Sequence, residues 1–168
     1  MDLLFKTKYK LEVLNSELNG FGLFTIDSIP KNSIIFTFGG TLFKKDKRYN
    51  SDILRSTCIG LNEDIILCAT NKTGKDKTDF INHSCYPNIG LKDAITVIAI
   101  TDIKKGSELL IDYRFWEYRE EWQLKEKCKC GSVNCNGFVN GSFYKTIDSN
   151  YTFYEYFSPS LKNKIKKI

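Results

Sequence analysis

The close spacing of its turn-forming residues constrains this chain more than any other feature. Asn19-Gly20, Pro30-Lys31-Asn32, Gly39-Gly40, Asn71-Lys72-Thr73-Gly74 and Lys104-Lys105-Gly106 punctuate the first two thirds too often for long helices. Between them lie short runs rich in β-branched and aromatic residues: Tyr9 to Leu14, Ser33 to Phe38, Asp64 to Ala69, Ala94 to Thr101 and Glu108 to Tyr113. These read as strands, and the body as a set of small sheets. Helix is expected in only two places. Trp116 to Leu124 has no Gly or Pro, carries Glu117, Glu120 and Glu121, and sets Tyr118 and Trp122 four apart. Ser158-Pro159 suits the start of a second helix, serine as cap and proline in the first turn.

A length of 168 residues with 42% hydrophobic content suits one domain with a real core. No apolar run approaches the ~20 residues of a membrane span, and the start Met1-Asp2-Leu3-Leu4-Phe5-Lys6 does not resemble a leader. A soluble protein of the reducing cytoplasm is expected, exported or nuclear only if it acts on host chromatin. The net charge of +5 comes largely from scattered lysines. Only Lys162, Lys164, Lys166 and Lys167 cluster, which reads as a solvated helix face. Neither nucleic acid nor membrane is expected as a partner.

In that compartment six cysteines are free thiols or metal ligands rather than disulfides. Cys128-Lys129-Cys130-Gly131-Ser132-Val133-Asn134-Cys135 packs three thiols into eight residues, with a glycine and an asparagine to turn the chain. Zinc takes four tetrahedral donors, at ~2.3 Å for sulfur, so a fourth must come from elsewhere. Cys58, Cys68, Cys85 and His83 are the candidates. As the only histidine, His83 rules out a two-histidine metal centre, and any Ser-His-Asp or Cys-His hydrolase would have to run through it. The zinc deaminase pattern is absent. Asn19-Gly20-Phe21-Gly22-Leu23-Phe24 offers two glycines where backbone could approach a ligand, without the third glycine of a dinucleotide fingerprint.

The order of these segments is similar to that of the SET domain family of protein-lysine methyltransferases. Gly20-Phe21-Gly22 resembles its first motif and Phe38-Gly39-Gly40 its Tyr-x-Gly segment. Asn82-His83-Ser84-Cys85-x-Pro-Asn88 resembles its signature, Glu108-Leu109-x-x-Asp112-Tyr113 its final strand, and the Cys-x-Cys-x4-Cys run its post-SET segment. The resemblance, closest to compact stand-alone bacterial members, implies a mainly β fold of the β-clip type: small curved sheets, a knot-like C-terminal crossing and a few short helices. It implies a SET domain over 1–115, a post-SET zinc segment over 116–141 and a C-terminal extension over 142–168. It further implies methyl transfer from S-adenosylmethionine to a lysine ε-amine of a protein substrate such as a histone tail or another basic peptide.

Carried over by position, Tyr113 is the catalytic residue. Gly20, Phe21, Gly22, Asn82, His83 and Phe138 bind the cofactor. Cys85, Cys128, Cys130 and Cys135 hold structural zinc. Three positions depart from the family: Phe38 where tyrosine is frequent, Ile111 where an aromatic residue usually limits methylation, and Asp79 where arginine is common. Phe38 and Ile111 together imply a roomy channel and a dimethyl or trimethyl product. A binding module that has lost turnover is the main rival, and retention of Asn82, His83 and Tyr113 speaks against it.

Overall fold

The computed structural model describes residues 2–167. Two four-stranded sheets and two two-stranded ones make up the body. One sheet runs Asp2–Leu3, Gly40–Lys44, Ile65–Cys68, Ile59–Gly60; the other runs Ile89–Leu91, Thr96–Ala99, Ile34–Thr37, Lys6–Thr7. A two-stranded antiparallel pair joins Leu11–Asn15 to Phe21–Thr25. In Phe21–Thr25 the residues 21, 23 and 25 share one face, and there Leu23 and Thr25 are fully buried while Phe21, at the strand's start, is exposed.

Five expected strands appear in shortened form, as Leu11–Asn15, Ile34–Thr37, Ile65–Cys68, Thr96–Ala99 and Leu110–Ile111. The last is cut short because the Asp112 carboxylate accepts the Arg114 backbone N–H at 3.0 Å and caps a 3-10 turn over Tyr113–Phe115. Leu110–Ile111 lies parallel to Asn82–His83, with Leu110 opposite Asn82 and Ile111 opposite His83. A parallel pair needs a long connection. Here the intervening chain builds Ile89–Leu91 and Thr96–Ala99 of the second four-stranded sheet before returning, which brings the signature segment against the final strand.

The helix expected over Trp116 to Leu124 does not form. Its backbone groups are spent on a neighbouring segment instead: Leu124 N–H donates to Val139 O at 2.8 Å and Gly141 N–H to Trp122 O at 2.9 Å. Long-range pairing overrides local helix propensity. The second expected helix does form, at Pro159–Ile165, with the Ser158 hydroxyl accepting the Leu161 N–H at 3.3 Å. No described helix is long and apolar enough to cross a membrane. Lys162 and Lys164 on that helix face Glu155 and Glu63, at 3.6 and 3.4 Å.

Two of the three cysteines outside the 128–135 run correct an expectation. Cys58 and Cys68 are joined as a disulfide, not left as free thiols or ligands. Antiparallel pairing of Ile59 with Leu67 sets Cys58 opposite Cys68, with Cα atoms 4.3 Å apart.

Candidate active site

The parallel contact of Asn82–His83 with Leu110–Ile111 fixes the centre of the site. Tyr113 N–H donates to His83 Nδ1 at 3.2 Å, so the imidazole proton sits on Nε2, which lies 3.4 Å from Cys85 Sγ. Burial drives the His83 pKa down to about 4, against the opposing pull of Asp112, and keeps the ring neutral. The Tyr113 hydroxyl donates to Ile81 O at 2.7 Å. Burial, helped by the Glu108 charge, pushes its pKa up to about 12, so the phenol stays protonated and its oxygen lone pairs can accept a further contact. Below Tyr113, the buried Asp112 carboxylate takes a two-pronged bond from Arg114, with Nε at 2.8 Å and Nη2 at 2.5 Å. The Arg114 guanidinium lies over the Phe143 ring at 3.9 Å.

Two cavities meet at this tyrosine. The larger, about 410 Å³, is walled by Leu18, Asn19, Asn82 and His83 on one side and by the 124–130 segment on the other. The smaller, about 150 Å³, is lined by Phe38, Asp79, Ile81, Trp116, Glu117 and Trp122 among others. Ser56 and Tyr113 line both. The smaller cavity is aromatic around Tyr113: Trp116 packs against it with ring centroids 5.6 Å apart and meets Phe38 edge-on at 5.9 Å.

Of the residues expected to bind a cofactor, Asn82 and His83 line the larger cavity. Gly20, Phe21 and Gly22 do not; the adjoining Leu18 and Asn19 do. Gly20 has φ +50°, a turn conformation that favours glycine, while a Cβ at Gly22 would lie 2.1 Å from Glu108 Oε1. Phe138 borders a separate cleft with Leu124 to Lys127 and is 64% exposed. Ile111 packs in the core, 0% exposed, and lines neither cavity, so of the two residues expected to widen the channel only Phe38 faces it. Ser56 escaped sequence reading because nothing in its polar turn distinguishes it. Lys125 and Lys127, also in the larger cavity wall, looked like scattered surface charge.

Cys85, Cys128, Cys130 and Cys135 place their sulfurs within 4.8 Å of one another. A zinc–sulfur tetrahedron with bonds of ~2.3 Å has sulfurs roughly 3.8 Å apart, so this cluster can close on a metal ion with small side-chain adjustments. Burial pushes the Cys85 thiol well above its ordinary range and Cys128 up to about 12. At Cys130 burial is outweighed by hydrogen bonds from the Cys85 and Ser132 backbone, and the thiol falls to about 7. A bound cation would hold all four as thiolates. Cys128 and Cys130 also line the larger cavity, which joins the cysteine cluster to the cavity wall.

Comparison with known proteins places the chain in a family. The SET domain family model matches residues 20–114. This chain belongs to the SET domain family. A Saccharomyces cerevisiae histone-lysine N-methyltransferase, H3 lysine-4 specific, is 30% identical over 154 residues, covering 83% of this chain and 14% of that protein. The Schizosaccharomyces pombe protein of the same description is 32% identical over 147 residues, covering 79% of this chain and 15% of that protein. A Mycosarcoma maydis histone-lysine N-methyltransferase, H3 lysine-36 specific, is 31% identical over 145 residues, covering 78% of this chain and 14% of that protein. The chain thus spans about one seventh of the length of these relatives. Among solved structures, KRYPTONITE in complex with DNA, an H3(1-15) peptide and S-adenosylhomocysteine superposes with a TM-score of 0.62 at 22% identity, covering 80% of this chain and 30% of that one.

Proposed function

We propose that this chain is a protein-lysine N-methyltransferase that uses S-adenosylmethionine and acts on a lysine of a histone tail or another basic protein segment. The observation that carries the reading is Tyr113 standing where a larger and a smaller cavity meet, in a chain of the SET family. A cavity of about 410 Å³ falls in the range of small-molecule sites. The cofactor supplies an activated methyl group on a sulfonium. In the larger cavity, Asn82, His83 and the 124–130 wall hold and shield it from water. In the smaller cavity, Phe38 and Trp116 desolvate the incoming amine, lowering its pKa from the ~10.4 of free lysine so that a neutral lone pair is available. Tyr113 commits its proton to Ile81, which leaves its oxygen to accept from the amine and align it for in-line attack. Solvent takes the released proton, so no histidine base is needed.

The same proposal assigns structural zinc to the four cysteines, the SET body to 1–115, the post-SET segment to 116–141 and the extension to 142–168. It places the protein in the cytoplasm, or wherever its histone-like substrate resides. The test is methylation of histone H3 and of a lysate protein mixture by the metal-loaded protein, read by intact mass. Transfer is expected, continuing past one methyl group because Phe38 offers no hydroxyl to block a methylated amine. Tyr113→Phe is expected to lower turnover by about 100-fold, the scale of losing one organising contact at the reacting atoms, with little change in cofactor affinity. A wild-type protein that neither binds S-adenosylmethionine nor labels any acceptor would overturn the reading.

A further inference from the structure

Neither cavity is lined by Glu108, yet its carboxylate joins the elements that build the cofactor side of the site. Oε1 accepts from Asn82 Nδ2 at 2.8 Å, and Oε2 accepts from the Ser16 hydroxyl at 3.0 Å. Each partner then holds the turn between Leu11–Asn15 and Phe21–Thr25. Asn82 Nδ2 also donates to Phe21 O at 3.0 Å, while Ser16 Oγ accepts the Leu18 backbone N–H at 3.1 Å. The same turn is closed by Ser16 N–H donating to Gly20 O at 2.8 Å. Leu18 and Asn19, at its tip, wall the larger cavity opposite the metal-linked segment.

The backbone of Glu108 is fixed as well. It forms an isolated antiparallel bridge with Phe24, and its carbonyl accepts Asn88 Nδ2 at 2.8 Å. The carboxylate therefore has little freedom to leave its partners. It occupies the space that a side chain at residue 22 would fill, 2.1 Å from that position. Gly22 makes room for a carboxylate behind the wall rather than for a ligand in front of it.

From this geometry we propose that Glu108 is a positioning residue that sets cofactor affinity by locking the 16–21 turn to Asn82. The inference rests on the functional reading above. A side chain acting through the cavity wall moves the cofactor dissociation constant and KM far more than turnover at saturation, because it lines neither cavity and reaches Tyr113 only through its charge.

The experiment is calorimetric titration of the metal-loaded 168-residue chain with S-adenosylmethionine, alongside steady-state methylation and thermal melting. Glu108→Ala is expected to weaken binding about 10-fold or more, the scale of losing hydrogen bonds to a charged group, with kcat within about 2-fold of wild type. Glu108→Gln keeps an acceptor for Asn82 and can donate to Ser16, so it is expected to restore affinity to within about 3-fold. Gly22→Ala should mimic Glu108→Ala, while the double variant binds no worse than Glu108→Ala alone. If Glu108→Ala does not fold, Ser16→Ala, on a half-exposed turn, carries the test with an expected rise in KM and unchanged kcat. No cofactor binding by the wild type would overturn the functional reading itself. Wild-type binding together with unchanged affinity in Glu108→Ala, or in Ser16→Ala where that replaces it, would overturn the role of Glu108 alone.

Discussion

At the scale of single residues, the channel side of the site differs from its core in carrying a carboxylate held between charge states. Asp79 lies in the wall of the smaller cavity, half-buried, where burial lifts its pKa to about 6. The Asp76 backbone N–H, donating to Oδ2 at 2.8 Å, and Lys75 oppose the rise, while the Asp76 charge adds to it. Because the folded pKa exceeds the 3.8 of an unperturbed aspartate, folding favours the protonated form. The stabilising contribution is full below that value and disappears as pH rises through about 6. Asp79→Asn keeps an acceptor for Asp76 and removes the titration. Wild type should therefore lose stability relative to Asp79→Asn between pH 4 and 6 and run parallel to it above pH 7. Urea midpoints for both proteins across this range check the sign, and parallel curves throughout would show that Asp79 is not desolvated. This residue could be flagged in the sequence only as a departure from a family pattern, since burial is invisible until the Trp116 and Phe38 walls are in place.

At the scale of elements, the sequence was most legible where local pattern and long-range pairing agree. The strands at Ile34–Thr37, Ile65–Cys68 and Thr96–Ala99 are β-branched runs bounded by turns, and they form almost where the runs lie. It was least legible at 116–124, where the pairing with 139–141 outweighs a helix-compatible composition. Two more strands were masked by glycines: Phe21–Thr25 lies in a segment singled out for Gly20 and Gly22, and Gly40–Lys44 starts within the Gly39-Gly40 turn signal. The cysteine cluster was half legible. Three of the clustered cysteines are local in sequence, but the fourth is 43 residues before Cys128, and the fold brings it to them. Because Cys128 and Cys130 wall the larger cavity, metal should order that wall rather than the whole body. Dialysis against a chelator, or Cys130→Ser, is expected to lower cofactor affinity by at least about 10-fold, within the range seen when metal shells are disturbed. Metal analysis should give one zinc per folded chain, and a metal-free protein with unchanged affinity would separate the cluster from the site.

At the scale of the molecule, the extension beyond residue 141 packs closely against the body. Phe157 is fully buried against Phe115, ring centroids 5.0 Å apart, and Ser158 N–H donates to Phe115 O at 2.8 Å. Phe153 also meets Phe115, at 6.4 Å, and reaches Tyr86 of the signature segment at 5.7 Å. Phe143 lies under the Arg114 guanidinium, so the chain end packs against the residues that follow Tyr113. A boundary at 141, natural on motif order alone, would expose Phe115 and leave the Asp112–Arg114 pair without its aromatic cover. Phe157→Ala is accordingly expected to cost about 3–5 kcal/mol, the usual penalty for emptying a buried phenylalanine site. For a chain of this size that is a fall in Tm of roughly 6–20 °C. Phe157→Leu, which keeps most of the volume, should cost well under half as much. A chain ending at residue 141 should lose cooperative melting altogether, and a truncated protein that melts at the wild-type temperature would establish the extension as a separate unit after all.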